Sequence, residues 1–294
     1  MSKTKDLRLD VRKTYKLYLN GEFVRSESGR ADVVDAETPN SANVSRASRK
    51  DARDAVVAAR AAQSTWGAAT ATNRGLVLYR LAEMMEARRA QFVEQLQIGM
   101  DVKEDQALRE VTSSIDRALW YAGWCDKYAA LVSSRNPVAG PFFNYSATEP
   151  VGVVAVLAPG EPSLLGLVSS VVPPLVSGNS VVALASEKDP RTAIVFAECV
   201  ATCDLPKGAL NILTGQQSEV APHLARHMDV NGVAMHGIDR EFATELERLA
   251  ADNLKRTKIY PALDAEDWYD GKAQDLSYVT GFVETKTIWH PARI

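Results

Sequence analysis

Two pairs in this chain have a spacing suited to joint chemistry: Cys199 with Cys203, and His223 with His227. Four residues apart on a helix, each pair faces one side and could supply two ligands to a metal ion. No third and fourth ligand accompanies either pair at a suitable spacing, so the simpler reading is buried cysteines and partly exposed histidines, with no metal. Cys125, between Trp124 and Asp126, lacks a nameable base and reads as a core or subunit contact, not a nucleophile. Two carboxylates follow apolar runs: Glu161, after Ala158-Pro159-Gly160, and Glu187. Glu161 could act as a general acid or base, but a cap or ion-pair role asks less of it.

These residues are positioned by the stretch from Pro150 to Glu187. It reads as a buried strand (151–158), a turn at Pro159-Gly160, an apolar helix (about 162–176) closed near Gly178, and a second buried strand (180–185). Val-rich unbroken runs separated by a helix are what a parallel sheet covered on both faces requires. Further strands at 210–214, 232–235 and 256–260 alternate with helices at about 190–203, 218–227 and 239–253. The fold class is therefore α/β, a Rossmann-like doubly wound parallel sheet.

Upstream, Leu17 to Arg25 alternates around Asn20-Gly21 and predicts a hairpin. A loop is expected through VVDAETPNSANVSRAS. Ser48 caps a helix with Ala52, Ala55, Val56, Ala59 and Ala62 on its apolar side. Long amphipathic helices follow at 73–97 and 105–132, the latter with Leu108, Val111, Ile115, Leu119 and Ala122 on one side. Residues 140–150 read as an extended arm, 261–275 as a connection, and 276–294 as a long strand rich in β-branched and aromatic residues. A formal charge of −3 gives no reason to expect nucleic acid or a membrane surface. The basic N-terminus has no apolar stretch behind it, so cytoplasm is the expected location.

In these blocks the chain resembles the aldehyde dehydrogenase superfamily. KLYLNGEFV is similar to that family's N-terminal hairpin, and Ala61, Trp66 and Arg74 to positions in its first helices. YSATEPVGVVAVLAP resembles its arm and first coenzyme strand, DLPKGALNILTG the approach to the third strand, and NLKRTKIYP a stretch that leads to Glu-Leu-Gly-Gly. FVETKTIWH resembles the tail. The division implied is 1–139 hairpin and helices, 140–150 oligomerisation arm, 151–260 coenzyme core, 261–275 a linker replacing the catalytic domain, and 276–294 the oligomerisation strand.

The resemblance implies NAD or NADP as cofactor, held at Ala158, Pro159, Glu187, Gly215 and Gly237. Several family positions differ. Leu184 stands where a lysine helps Glu187 hold the ribose, Gln217 replaces a glycine, and Ile238 replaces a serine at the pyrophosphate helix, so binding is expected to be weak or lost, with Glu187 leaving the point open. No catalytic residue is assigned. No cysteine follows Cys203, Pro261 or Ala262 falls where the family has its general base, and Glu161 replaces the oxyanion-binding asparagine, reversing the electrostatics that step needs. Subunit contacts are expected at Phe142, Tyr145, Val279, Phe282, Thr285, Thr287 and Trp289, because a long apolar edge aggregates unless paired. The expected role is a catalytically inactive subunit in a homo-oligomer, or in a hetero-oligomer with a full-length aldehyde dehydrogenase. The alternative is an NAD(P)-dependent oxidoreductase contributing to aldehyde oxidation through a shared active site.

Overall fold

The computed structural model describes residues 12–35, 38 and 40–292, so most of the basic N-terminal leader lies outside the described residues. The chain begins with short strands: β1 (Thr14–Tyr15), β2 (Leu17–Leu19), β3 (Glu22–Val24), β4 (Ala31–Val34) and β5 (Ala42–Ser45). Helices α1 (Arg49–Ala68), α2 (Ala71–Ala87), α3 (Arg89–Met100), α4 (Glu104–Ala122) and α5 (Tyr128–Val132) follow, then β6 (Ser134–Asn136) and β7 (Phe142–Pro150). Strict alternation comes next: β8 (Val153–Leu157), α6 (Ser163–Val176), β9 (Ser180–Leu184), α7 (Pro190–Val200), β10 (Leu210–Leu213), α8 (Gln217–Arg226), β11 (Gly232–His236), α9 (Arg240–Ala250) and β12 (Arg256–Tyr260). The last elements are α10 (Ser277–Thr280) and β13 (Val283–Pro291).

The main sheet runs β12-β11-β8-β9-β10-β2-β3, its first five strands parallel and the β2–β3 hairpin added antiparallel against β10. Asn20 and Gly21 make the hairpin turn at φ 50° and 78°, the left-handed pair that a tight two-residue turn demands. Apolar runs become a two-sided core because successive strand residues point to opposite faces. Val154, Val156, Val181, Ala183 and Ile212 pack with α2, α3, α4, α6 and α7. Val153, Ala155, Leu157, Val182, Leu184 and Met235 pack with α1, α8 and α9. The sheet is therefore doubly wound, as the sequence predicts, and the α1 side chains expected to be buried are all buried. Ser48 caps α1 in a reciprocal box with Asp51.

Other expectations are corrected. The stretch read as loop holds the end of β4 and the whole of β5, which with β1 form a separate three-stranded sheet; such pairing is non-local and leaves no clear alternation in so short a run. The helix expected at 73–97 breaks at Arg88, and the one expected at 105–132 ends at Gly123. Leu108 and Leu119 are exposed, whereas α4 buries Ala107, Glu110, Ser114, Arg117, Ala118 and Tyr121 beside Val111, Ile115 and Ala122. Small residues let α4 approach α6 closely, and hydrogen bonds satisfy its buried polar groups. The last strand begins only at Val283: Val279 lies in α10, and both it and Phe282 are buried in this chain's own core. Among the described residues no helix is long and apolar enough to cross a membrane.

Candidate functional site

In the main sheet, β8 connects through α6 to β9 on one side, while β11 lies against β8 on the other. Diverging connections of this kind open a crevice at the carboxyl ends of the strands, where α/β sheets bind ligands. Its floor is made by Ala158 and Pro159 after β8, Ser186 and Glu187 after β9, Thr214 and Gly215 after β10, and His236 and Gly237 at the end of β11. The five residues assigned from sequence to a cofactor therefore come together at this edge.

The edge is laced by its own side chains. One carboxylate oxygen of Glu187 accepts from the Gln217 backbone N–H at 2.5 Å, satisfying a donor that the first turn of α8 would leave free. The Gln217 amide Nε2 donates to the Ala158 carbonyl at 2.9 Å, spanning from α8 to the end of β8. Ser186 Oγ donates to the Gly160 carbonyl at 2.7 Å, and Lys188 pairs with Glu161 at 2.5 Å. Glu161 is thus an exposed ion-pair residue. Gly237, at φ 63°, has Ala262 and Pro159 within 4 Å of where a Cβ would stand, so the start of the 261–275 segment lies across the β8–β11 side. Gly215, at φ 137°, holds a backbone conformation that strains a side-chain-bearing residue, and the Ala47 nitrogen lies 3.1 Å from where its Cβ would stand.

Buried polar groups brace the crevice from behind. Glu110 of α4 accepts from the Leu164 and Leu165 N–H groups at 2.8 and 3.2 Å, capping α6 from another helix. Burial raises its carboxyl above the usual range, against the pull of those two donors. Asp189 caps α7 and accepts from Ser163 Oγ at 3.0 Å; burial raises its carboxyl too. At the other end of α6, Trp66 donates to Leu175 O at 3.1 Å and Arg74 to Val176 O at 3.1 Å. Asn179 accepts from Gly152 N–H at 2.9 Å and donates to Phe282 O at 2.9 Å, joining β8 to the tail. His236 is buried, with its ring stacked on Tyr260 at 4.4 Å, and Tyr260 stacks on Tyr278 at 4.6 Å. Burial pushes the His236 imidazole down to about 3.

Residues 23–259 match the Aldehyde dehydrogenase family. The chain belongs to the aldehyde dehydrogenase family. It is 32% identical over 259 residues to the cytosolic 10-formyltetrahydrofolate dehydrogenase of Mus musculus, covering 86% of this chain and 29% of that protein. It is 29% identical over 251 residues to the omega-crystallin of Enteroctopus dofleini, covering 83% and 50%. An aldehyde dehydrogenase of Bacillus cereus, solved as an NAD+ complex, superposes with a TM-score of 0.79 at 25% identity over 84% of this chain and 50% of that one. The chain thus spans about half the length, or less, of the relatives it matches.

Against aldehyde dehydrogenase expectations, the departures have structural counterparts. Leu184 is fully buried in the core under the sheet, and Ile238 packs against that same core. Ala262 brings only a methyl group to the crevice, at one of the two positions where the resemblance sets a general base. Gln217, which sequence reasoning counts only as a lost glycine, is the residue that closes part of the edge. A glutamine following Gly215 at a helix start was the available signal.

The arm is a separate three-stranded antiparallel sheet, β13-β7-β6. β13 pairs along its whole length with this chain's own β7, from Val283 opposite Pro150 to Pro291 opposite Phe142, and so does not need a second chain as its pairing partner. Trp289 and Phe142, 58% and 42% exposed, meet edge to face at 5.7 Å. Tyr145 pairs with Ile288, and Thr287 Oγ1 lies 3.1 Å from Ser146 Oγ; Thr285 and Thr287 are exposed. Val279 and Phe282 leave the expected interface altogether, since Phe282 packs on Gly232 at the start of β11.

The three cysteines are buried, and burial raises the thiols of Cys125 and Cys199 to about 12 and that of Cys203 to about 11. They are inert as thiolates near neutral pH. Among the described residues no group of three or more His, Cys, Asp or Glu gathers as a metal site would require.

Proposed function

We propose that this chain is an aldehyde dehydrogenase-family subunit that does not turn over aldehyde by itself. It serves as a structural or regulatory partner in a cytoplasmic assembly, either with itself or with a full-length aldehyde dehydrogenase. The observation carrying this reading is the Gln217 bridge. Its amide and the Glu187 carboxylate are spent on closing the edge where a dinucleotide would lie, and neither the lysine nor the serine hydroxyl of the resemblance is there to compensate. With Gln217 across the edge, one Glu187 oxygen engaged and no lysine or serine hydroxyl beside it, this reading leaves NAD or NADP weakly held, and no chemical step is derived through them. The exposed aromatic edge of the arm supports the assembly part of the reading, since solvent-facing aromatic pairs are typical anchors between subunits.

The test is titration of the purified chain with NAD and NADP, alone and with a full-length aldehyde dehydrogenase, alongside the native mass of each mixture. A complex of defined mass, with no saturable coenzyme binding and no aldehyde oxidation by this chain alone, is expected. Turnover of an aldehyde by the isolated chain would overturn the reading. Activity arising only in the mixture and abolished by a Glu187→Ala change in this chain would instead favour an oxidoreductase with a shared site.

A further inference from the structure

Outside the crevice, a cluster of basic side chains lies between α1 and α8. Arg49 and Arg53 on α1, His223 and Arg226 on α8, and His227 just past its end line a surface cavity of about 290 Å³. Glu219 is paired outside the cavity with Arg30 and Arg46 at 2.6 and 2.7 Å and Asp229 approaches Arg60 at 4.0 Å, while Asp54 engages one cavity arginine, Arg53, at 2.9 Å. Among the described residues Arg49 and Arg226 have no carboxylate within 4.0 Å, so two guanidinium groups line one cavity without compensation. Desolvation and the neighbouring Arg49 and Arg226 hold His223 below the usual imidazole range. His227 is held down first by desolvation, with Lys255, Arg53 and Arg60 adding to it and Asp229 opposing. Both imidazoles are thus neutral near pH 7 and offer N–H donors, while the arginines supply the charge.

We propose that this cavity binds the phosphoryl group of a small soluble ligand. Guanidinium forks match phosphate oxygens two at a time, and imidazole N–H groups fill the remaining acceptor positions. A small ligand is favoured over a nucleic acid or an anionic membrane because the charge is local. Asp54 and Asp229 are 46% and 56% exposed beside it, and the chain as a whole carries −3. An extended polyanion would meet both carboxylates, whereas a compact phosphate can sit between Arg49 and Arg226, away from them.

The probe is inorganic pyrophosphate, titrated into the whole chain at constant ionic strength with chloride as the balancing anion, while the four histidine ring resonances are followed by NMR. His223 and His227 should shift together and saturate at one equivalent, with His236 and His290 unmoved. In an Arg49→Gln/Arg226→Gln variant whose thermal midpoint is unchanged, the dissociation constant should rise at least tenfold. Shifts that never saturate, movement centred on His236, or a variant that titrates like the parent chain would each overturn the site. Co-sedimentation with phosphatidylserine vesicles without a response to pyrophosphate would overturn the ligand class. Because the histidine shifts are read on the unaltered chain, the proposal stays testable even if the double variant folds poorly.

Discussion

Gln217 performs two tasks at the crevice, offering its backbone N–H to Glu187 and its side-chain amide to the Ala158 carbonyl. Replacing it with glycine, the residue of the family pattern, removes the second link and keeps the backbone N–H at the first position of α8. Affinity of Gln217→Gly for NAD, followed by tryptophan fluorescence, should exceed that of the parent chain at least tenfold. Equal affinities would show that the bridge does not limit binding. Asn179 is the counterpart at the opposite edge of the sheet, where one carboxamide serves Gly152, Pro174, Ser177 and Phe282. Asn179→Ala leaves the buried Gly152 N–H unpaired and removes one donor each from the Pro174 and Phe282 carbonyls, and urea denaturation should register a loss of about 2 kcal/mol. Neither effect is visible in a hydropathy pattern, because both come from what a polar group finds within hydrogen-bonding reach.

At the scale of elements, the 261–275 segment is more than a connection. Arg117 of α4 is buried and donates to Ser169 Oγ and Trp268 O at 2.7 Å, to Gln274 Oε1 at 2.9 Å, and to the Ala273 carbonyl. Arg117→Met keeps the aliphatic bulk but strips those carbonyls of a donor. Destabilisation of about 3 kcal/mol is expected, and limited proteolysis should cut first within 261–275; cutting elsewhere would show that the segment is held by other contacts. The end of β11 makes a pH prediction. His236 is held at about 3 against an ordinary 6.5, so between those values the unfolded chain binds a proton that the folded chain refuses. Its contribution is intact above the unfolded value and is lost as pH falls, at about 1.4 kcal/mol per pH unit. His236→Phe should therefore flatten the decline in stability from pH 6.5 to 4.5, with a difference of about 2 kcal/mol across that window. Parallel decline in both proteins would sink the assignment.

For the whole molecule, the arm sheet stands apart from the main sheet and is satisfied internally by the β7–β13 ladder. What it leaves open is an aromatic edge. A Phe142→Ser/Trp289→Ser variant removes one partly exposed edge-to-face pair, so it should cost the single chain only about 1 kcal/mol. Native mass spectrometry should nevertheless show the assembly falling to single chains. An unaltered mass would move the subunit contact away from the arm. Residues 140–150 were legible as an extended segment apart from the core, because their alternation has no helical period and follows a Pro- and Gly-containing break. That the tail would find this segment within the same chain was not legible, since the two strands are far apart in sequence and pairing leaves no local trace.

By itself, the sequence determined the alternating strands and helices from 151 to 260, the two-faced burial of the sheet, the hairpin at Asn20-Gly21 and the cap at Ser48. Each follows from periodicity or turn chemistry confined to a few neighbouring residues. It also determined which residues arrive at the carboxyl edge, because strand ends are fixed once the strands are. Only the tertiary structure decided that Gln217 and Glu187 close on one another, that Glu110 and Arg117 are buried on purpose in α4, and that Val279 and Phe282 belong to the core. Those outcomes depend on which distant backbone group a polar side chain can reach and on which cavity an apolar one can fill. Distances of that kind exist only after the chain has packed.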